Sequence, residues 1–125
     1  MNKPSKIHLH KKSKILELHV AGQSYHLPAE FLRVHSPSAE VKGHGPGQEK
    51  LVHGKIDVGI SDIKITGNYG ITIIFDDEHD SGIFSWQYLI DLCKDKNQLW
   101  DVYLDKLKKE QKNRDPHTSV VQFSP

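Results

Sequence analysis

Nine histidines stand out among the 125 residues of this chain, against a single cysteine. Imidazoles ligate metals and exchange protons near neutral pH, so metal binding and acid–base chemistry are the first possibilities to weigh. His8 and His10 are two apart in an alternating run, which places both on one strand face, where they could chelate a metal as a pair. With Lys6, Lys11 and Lys12 around them, the simpler reading is two solvated imidazoles on an edge strand. His26, His35, His44 and His53 recur every nine residues, but the residues that follow them share no pattern, so the spacing marks no repeat. Asp76, Asp77, Glu78 and Asp80 crowd around His79, a density that suits a hard cation. The spacing and the glycine of a calcium-binding loop are missing, which favours a solvated hairpin end. Gly43–His44–Gly45–Pro46–Gly47 could bend amides around an anion, but it lacks a following lysine and reads as an exposed loop.

Catalytic fingerprints are missing. No histidine is followed two positions later by Asp or Glu, so the usual start of a non-haem iron triad is absent. H-E-x-x-H, G-x-S-x-G, G-x-G-x-x-G and the P-loop pattern are absent too. The sequence therefore predicts a non-enzymatic protein. Cys93 rules out an internal disulfide, fits a reducing cytoplasm, and falls on an apolar helical stripe where a buried thiol is expected.

These side chains must be positioned by a chain that is 36% apolar and 26% charged, long enough for one domain with a real core. A formal charge of +1 argues against a nucleic-acid binder. Residues 94–114 hold seven basic and four acidic side chains, which a solvated helix face explains. No apolar run is long enough for a membrane helix, and Met1–Ser5 has no signal-peptide character, so a cytoplasmic location without membrane contact is expected.

Ile7–His10 reads as a short edge strand. Lys14–Val20 alternates, with Leu16, Leu18 and Val20 on one face and Ile15, Glu17 and His19 on the other. Gln23–Leu27 returns as a hairpin partner, and Pro28 opens a short helix over Ala29–Val34. Ser36–Lys55 is irregular. Ile56–Thr66 and Ile71–Phe75 form a hairpin about Gly67–Gly70, and Asp76–Asp80 is an acidic turn. Ser85 caps a helix carrying Trp86, Leu89, Ile90 and Cys93; Asn97 interrupts, and Trp100, Tyr103, Leu104 and Leu107 mark a second helix. Trp86 and Trp100 read as core. The prediction is an α+β fold of two layers, a mainly antiparallel β-sheet with C-terminal helices packed on one face. Residues 1–112 form the domain and 113–125 a flexible tail.

The run Leu27–Val41, with Lys42–Pro46, Gly67–Tyr69 and His79–Trp86, is specific enough to be placed. It resembles the gamma-butyrobetaine hydroxylase-like N-terminal domain, in its small stand-alone bacterial form, over about Ile15 to Leu107. In the hydroxylases that domain precedes an oxygenase domain, which is absent here, so hydroxylase activity does not transfer. The resemblance implies a structural zinc held by three cysteines and a histidine. Aligned on Leu32–Arg33, the cysteine positions are Ser36, Ser38 and Val41, and the histidine is His79. Two hydroxyls and a valine are no zinc set, so that site looks dismantled. His79 is then read as a hydrogen-bonded pin, with a replacement zinc or iron site from His35, His44 and His79 as the alternative. The family domain also occurs fused to iron–sulfur ATPases, which implies a module that docks on a protein partner related to metal or iron–sulfur proteins. Arg33, His35, Ser36, Ser38, His44, His79 and Trp86 are the expected partner-binding residues, displayed on loops of a rigid scaffold.

Overall fold

The computed structural model describes residues 3–38, 41 and 50–116. Its first sheet has the order β1-β2-β3, all antiparallel, with β1 at Lys6–His10, β2 at Ile15–Val20 and β3 at Gln23–Pro28. The alternation in β2 sets its faces: Leu16 and Leu18 are fully buried, while Glu17 and His19 point to the other side. Only Ala21 and Gly22 join β2 to β3, and both have positive φ (50° and 78°), as a two-residue turn matched to strand twist requires.

β4 (Ile60–Thr66), β5 (Gly70–Phe75) and β6 (Asp80–Ser85) form a second antiparallel sheet in that order. The β4–β5 hairpin agrees with the sequence reading. β6 was hidden in the sequence, because Asp80, Ser81 and Gly82 look like turn residues and no alternation shows. Pairing with β5 makes it a strand, and Phe84 is fully buried. The ladder shifts register between Thr72 and Ile74, where the Ile73 N–H donates instead to Ser81 Oγ at 3.0 Å. Gly70 is needed at the sheet edge: a Cβ there would lie 1.9 Å from the Phe84 carbonyl oxygen.

Three helices complete the described residues: α1 (Ala29–Val34), α2 (Trp86–Lys94) and α3 (Lys96–Lys109). Pro28 is the last residue of β3 and the cap position of α1, so α1 begins at Ala29. Ser85 caps α2, its hydroxyl accepting from the Tyr88 N–H at 3.1 Å. The break between α2 and α3 falls at Asp95; Asn97, expected to interrupt, lies within α3, where a polar, exposed residue costs little.

One core cluster joins both sheets with α1 and α2 through Leu16, Leu27, Phe31, Ile73, Phe84 and Leu89. α3 contributes Tyr103 and Leu107 to a smaller cluster with Val34. The fold is thus α+β with mostly sheet, as expected. Asn113 and Arg114, expected to open a tail, are bonded to the domain. Gly54 and Ile56 donate to the carbonyls of Asn113 and Arg114 at 2.8 and 3.0 Å. The Arg114 guanidinium grips buried Glu30 with two bonds of 2.8 and 2.7 Å. A bidentate charged pair of this kind is a strong anchor for an otherwise patternless segment. Residues 117–125 lie outside the described residues.

Candidate functional site

The end of α1 and the β5–β6 turn meet at a buried cluster of two serines and a histidine. α1 stops at Val34 because Pro37 follows, and the residue before a proline is pushed out of helical geometry. His35 closes the helix, its Nδ1–H donating to the Phe31 carbonyl at 2.8 Å, while its own carbonyl accepts from Tyr88 Oη at 2.6 Å. The chain then turns Ser36 inward, where it is fully buried.

From the other side, the turn after β5 delivers His79, 7% exposed. Ser36 Oγ lies 3.0 Å from His79 Nε2 and 3.1 Å from the Ser81 carbonyl. A hydroxyl has one proton, so Ser36 donates to the carbonyl and accepts from the imidazole N–H. Ser38 Oγ lies 3.3 Å from Ser36 Oγ and 3.4 Å from His79 Nε2, and the Val41 N–H donates to the Ser38 carbonyl at 3.1 Å. Three of the four positions implied by the resemblance therefore converge, with buried Val41 one backbone bond away. The donor set is two hydroxyls, an aliphatic group and an imidazole already hydrogen-bonded, which does not fit zinc. The four positions form a hydrogen-bonded knot instead.

The turn bearing His79 is fixed by charge. Arg33 Nε donates to Asp77 Oδ2 at 3.0 Å, Lys55 Nζ reaches the same oxygen at 2.6 Å, and the His79 N–H donates to Asp77 Oδ1 at 3.3 Å. Burial by itself raises the Asp77 pKa, but the hydrogen bonds from Lys55 and Arg33 outweigh it and hold the carboxyl below its ordinary 3.8. A depressed folded-state pKa contributes stability that is present above about pH 4 and lost as pH falls below it. Asp77→Asn should therefore lie below the unmutated protein in Tm at pH 6, and the gap should narrow between pH 4 and pH 3; thermal melts across that range are the check.

The residues expected to bind a partner are distributed unevenly. Arg33 (4% exposed), Ser36, His79 and Trp86 (3%) are buried, so they are structural rather than displayed. Trp86 donates its indole N–H to the Asn68 carbonyl at 2.9 Å, and Arg33 stacks over Phe75 at 6.0 Å. These corrections share one cause: among the described residues of this motif, Arg33, Ser36, His79 and Trp86 pack onto the core instead of standing out from it. His35 and Ser38 are half-buried. His44, like the rest of the glycine-rich loop at 42–49, lies outside the described residues. Among the described residues, His35 and His79 belong to no three-ligand grouping. His35 instead borders a groove of about 450 Å³ between α3 and residues 50–52, lined by Val34, Val41, Leu51 and Val102 with Lys50 and Lys106.

A second constellation covers the outward face of the first sheet. Register places His8 opposite Glu17, and Glu17 opposite His26. His10 Nε2–H donates to Glu17 Oε1 at 2.8 Å, His19 Nε2–H donates to Glu17 Oε2, and His26 Nε2 lies 3.7 Å from Oε1. The hydrogen bonds from His10 and His19 hold the Glu17 carboxyl down to about 2. The His8 and His10 rings are 4.2 Å apart. The sequence pointed to His8 and His10 but missed Glu17, His19 and His26 as their companions. The signal was available, since Glu17 and His19 share one face of an alternating strand; the register that brings them beside His8 was not.

Cys93 is buried, and burial pushes its thiol up to about 11, so it has no reactive character. No helix among the described residues is long and apolar enough to cross a membrane.

Two antiparallel sheets, a helical layer and a buried serine–histidine junction define a small α+β domain. The chain belongs to the family described as gamma-butyrobetaine hydroxylase-like, N-terminal, whose model matches residues 7–90. It is similar to two proteins solved in solution by NMR. One is 51% identical over all of this chain and 99% of that one, with a TM-score of 0.85. The other is 39% identical over all of this chain and 95% of that one, with a TM-score of 0.78. It is also similar to a crystallised protein of unknown function in the DUF971 family from Acidithiobacillus ferrooxidans. That relative is 32% identical, over 72% of this chain and 91% of the other, with a TM-score of 0.60. No curated protein sequence matches.

Proposed function

We infer that this chain is a non-enzymatic accessory module that docks a partner protein through the groove between α3 and residues 50–52. The observation carrying this reading is the groove's make-up: Val34, Val41, Leu51 and Val102 line it together with two lysines, Lys50 and Lys106, against one acid, Glu110. Val102 is 45% exposed, on a helix whose other large apolar groups are mostly covered. Residues 94–114 are net basic, so the occupant that fits is a protein segment with an apolar anchor and acidic neighbours. The resemblance stated above favours a metal-related or iron–sulfur protein as its source. Against catalysis, the Ser36–His79 pair, which has nucleophile–base spacing, is buried: Ser36 is fully so, and neither Ser36 nor His79 lines this groove.

A photo-cross-linker at Val102 provides the test. The cross-linked segment should carry acidic residues beside an apolar anchor, and as a synthetic peptide it should shift the amides of Leu51 and Val102. Lys50→Glu with Lys106→Glu should weaken that peptide about 10-fold or more, the equivalent of about 1.4 kcal/mol. Cross-links only to a second copy, no cross-link, or an affinity indifferent to the charge reversals would overturn the reading.

A further inference from the structure

We propose that the outward face of the first sheet binds a divalent transition metal of the zinc type through His8, His10 and Glu17, with His19 holding the carboxylate in place. One ligand atom from each of the three residues lies within 4.8 Å of the others, the only such grouping among the described residues. A tetrahedral zinc with bonds of about 2.0–2.1 Å needs its ligand atoms about 3.3 Å apart, so each side chain has only about an ångström to travel. Their setting permits it, since His8 is exposed and His10 and Glu17 are partly so.

Two strands fix the arrangement. His8 and His10 are i and i+2 on β1, and β2 sets Glu17 across from His8 in a hydrogen-bonded ladder. The backbone is thus pre-organised, and only side-chain torsions need adjust. The His10 Nε2 proton now lies between imidazole and carboxylate, and a metal would take that position, with the imidazole carrying its proton on Nδ1 instead. Glu17 keeps its second oxygen on His19, the kind of outer hydrogen bond that orients a ligating carboxylate. Three protein ligands leave a fourth position for water or His26, whose Nε2 is 3.7 Å from Glu17 Oε1.

Ligand chemistry selects the metal class. Two imidazoles and one carboxylate suit zinc, copper, nickel or ferrous iron rather than magnesium or calcium, which take oxygen. Lys6 lies on the same face, across from His19, and its ammonium opposes a bound cation. The expected affinity is therefore modest, with a Kd on the order of micromolar. This site is separate from the groove and from the Ser36–His79 knot, so its test is independent of both.

The test is a zinc titration of the tag-free full chain against a chromophoric chelator, with amide spectra recorded in parallel. One zinc per chain is expected, with shifts centred on His8, His10 and Glu17. His8→Ala with His10→Ala should abolish binding, and His19→Ala should weaken it about 10–100-fold. His79→Ala should leave the stoichiometry unchanged. His8, His10, Glu17 and His19 face outward, so far-UV circular dichroism of their variants should match the unmutated protein; Glu17→Gln, nearly isosteric, provides a second variant that should lose the zinc. Zero stoichiometry, or zinc retained by the His8/His10 double variant or by Glu17→Gln, would refute the site.

Discussion

Arg33→Ala should lower the stability of the folded domain by about 3 kcal/mol, although its sequence context reads as an exposed recognition loop. The Arg33 side chain is 5% exposed and bonds Asp77, 44 residues away, at 3.0 Å. Its guanidinium also lies over the Phe75 ring, 6.0 Å from the centroid. Truncating Arg33 removes a buried cation, leaves Asp77 with Lys55 and the His79 N–H, and opens a void beside a core aromatic ring. Breaking a buried ion pair from one side commonly costs about 3–5 kcal/mol; the partial exposure of Asp77 and its second partner place this case at the lower end. For a domain of this size that is a fall in Tm on the order of 10 °C. Arg33→Lys should recover part of it, because an ammonium keeps the charge but not the planar fork. Thermal and urea melts decide the matter. An unchanged midpoint in Arg33→Ala would mean the side chain is dispensable to the fold and would return it to the docking surface.

The second large effect runs in the opposite direction. Ser36→Cys, Ser38→Cys and Val41→Cys together should convert the hydrogen-bonded knot into a zinc site with His79. Ser36 and Ser38 already lie 3.0 and 3.4 Å from His79 Nε2, and Val41 is buried one hydrogen bond from Ser38. Three thiolates and an imidazole form a closed tetrahedral set. Metal bound only by the folded state stabilises it by about 4 kcal/mol when free zinc is a thousandfold above Kd. Without zinc the same variant should melt below the unmutated protein, because thiols are poorer hydrogen-bond partners for the buried imidazole. The experiment belongs in a Glu17→Gln background, so that zinc on the first sheet does not contribute. One additional zinc, removed by His79→Ala and accompanied by a higher Tm, is the expected result. A triple variant that takes up no zinc would show that these four positions do not share one coordination sphere, and that the knot is not the structural equivalent of a metal site.

Much of this protein is written locally. Period-two alternation in Lys14–Val20 placed Leu16 and Leu18 inward, the turn before Gly70 marked the β4–β5 hairpin, and Ser85 with the Trp86–Cys93 stripe announced α2. The motif residues Ser36, Ser38 and His79 were also legible, as positions of interest. What they do was not. Ser36 and His79 are 43 residues apart, and no local pattern tells whether a hydroxyl will meet an imidazole or water. β6 escaped for the same reason: Asp80–Ser81–Gly82 has the composition of a turn, and only pairing with β5 makes it a strand. Arg33 was expected on display because it lies in the family motif, yet packing buries it; Trp86, expected both there and in the core, is core.

The ring of histidines about Glu17 divides cleanly between the two levels. Which residues share a face follows from the sequence alone, since that needs only the two-residue period of a strand. Tertiary structure decided which of those residues are neighbours, because strand register depends on how the strands pair, set by the turn at Lys11–Lys14 and by the inward face of Leu9, Leu16 and Leu27.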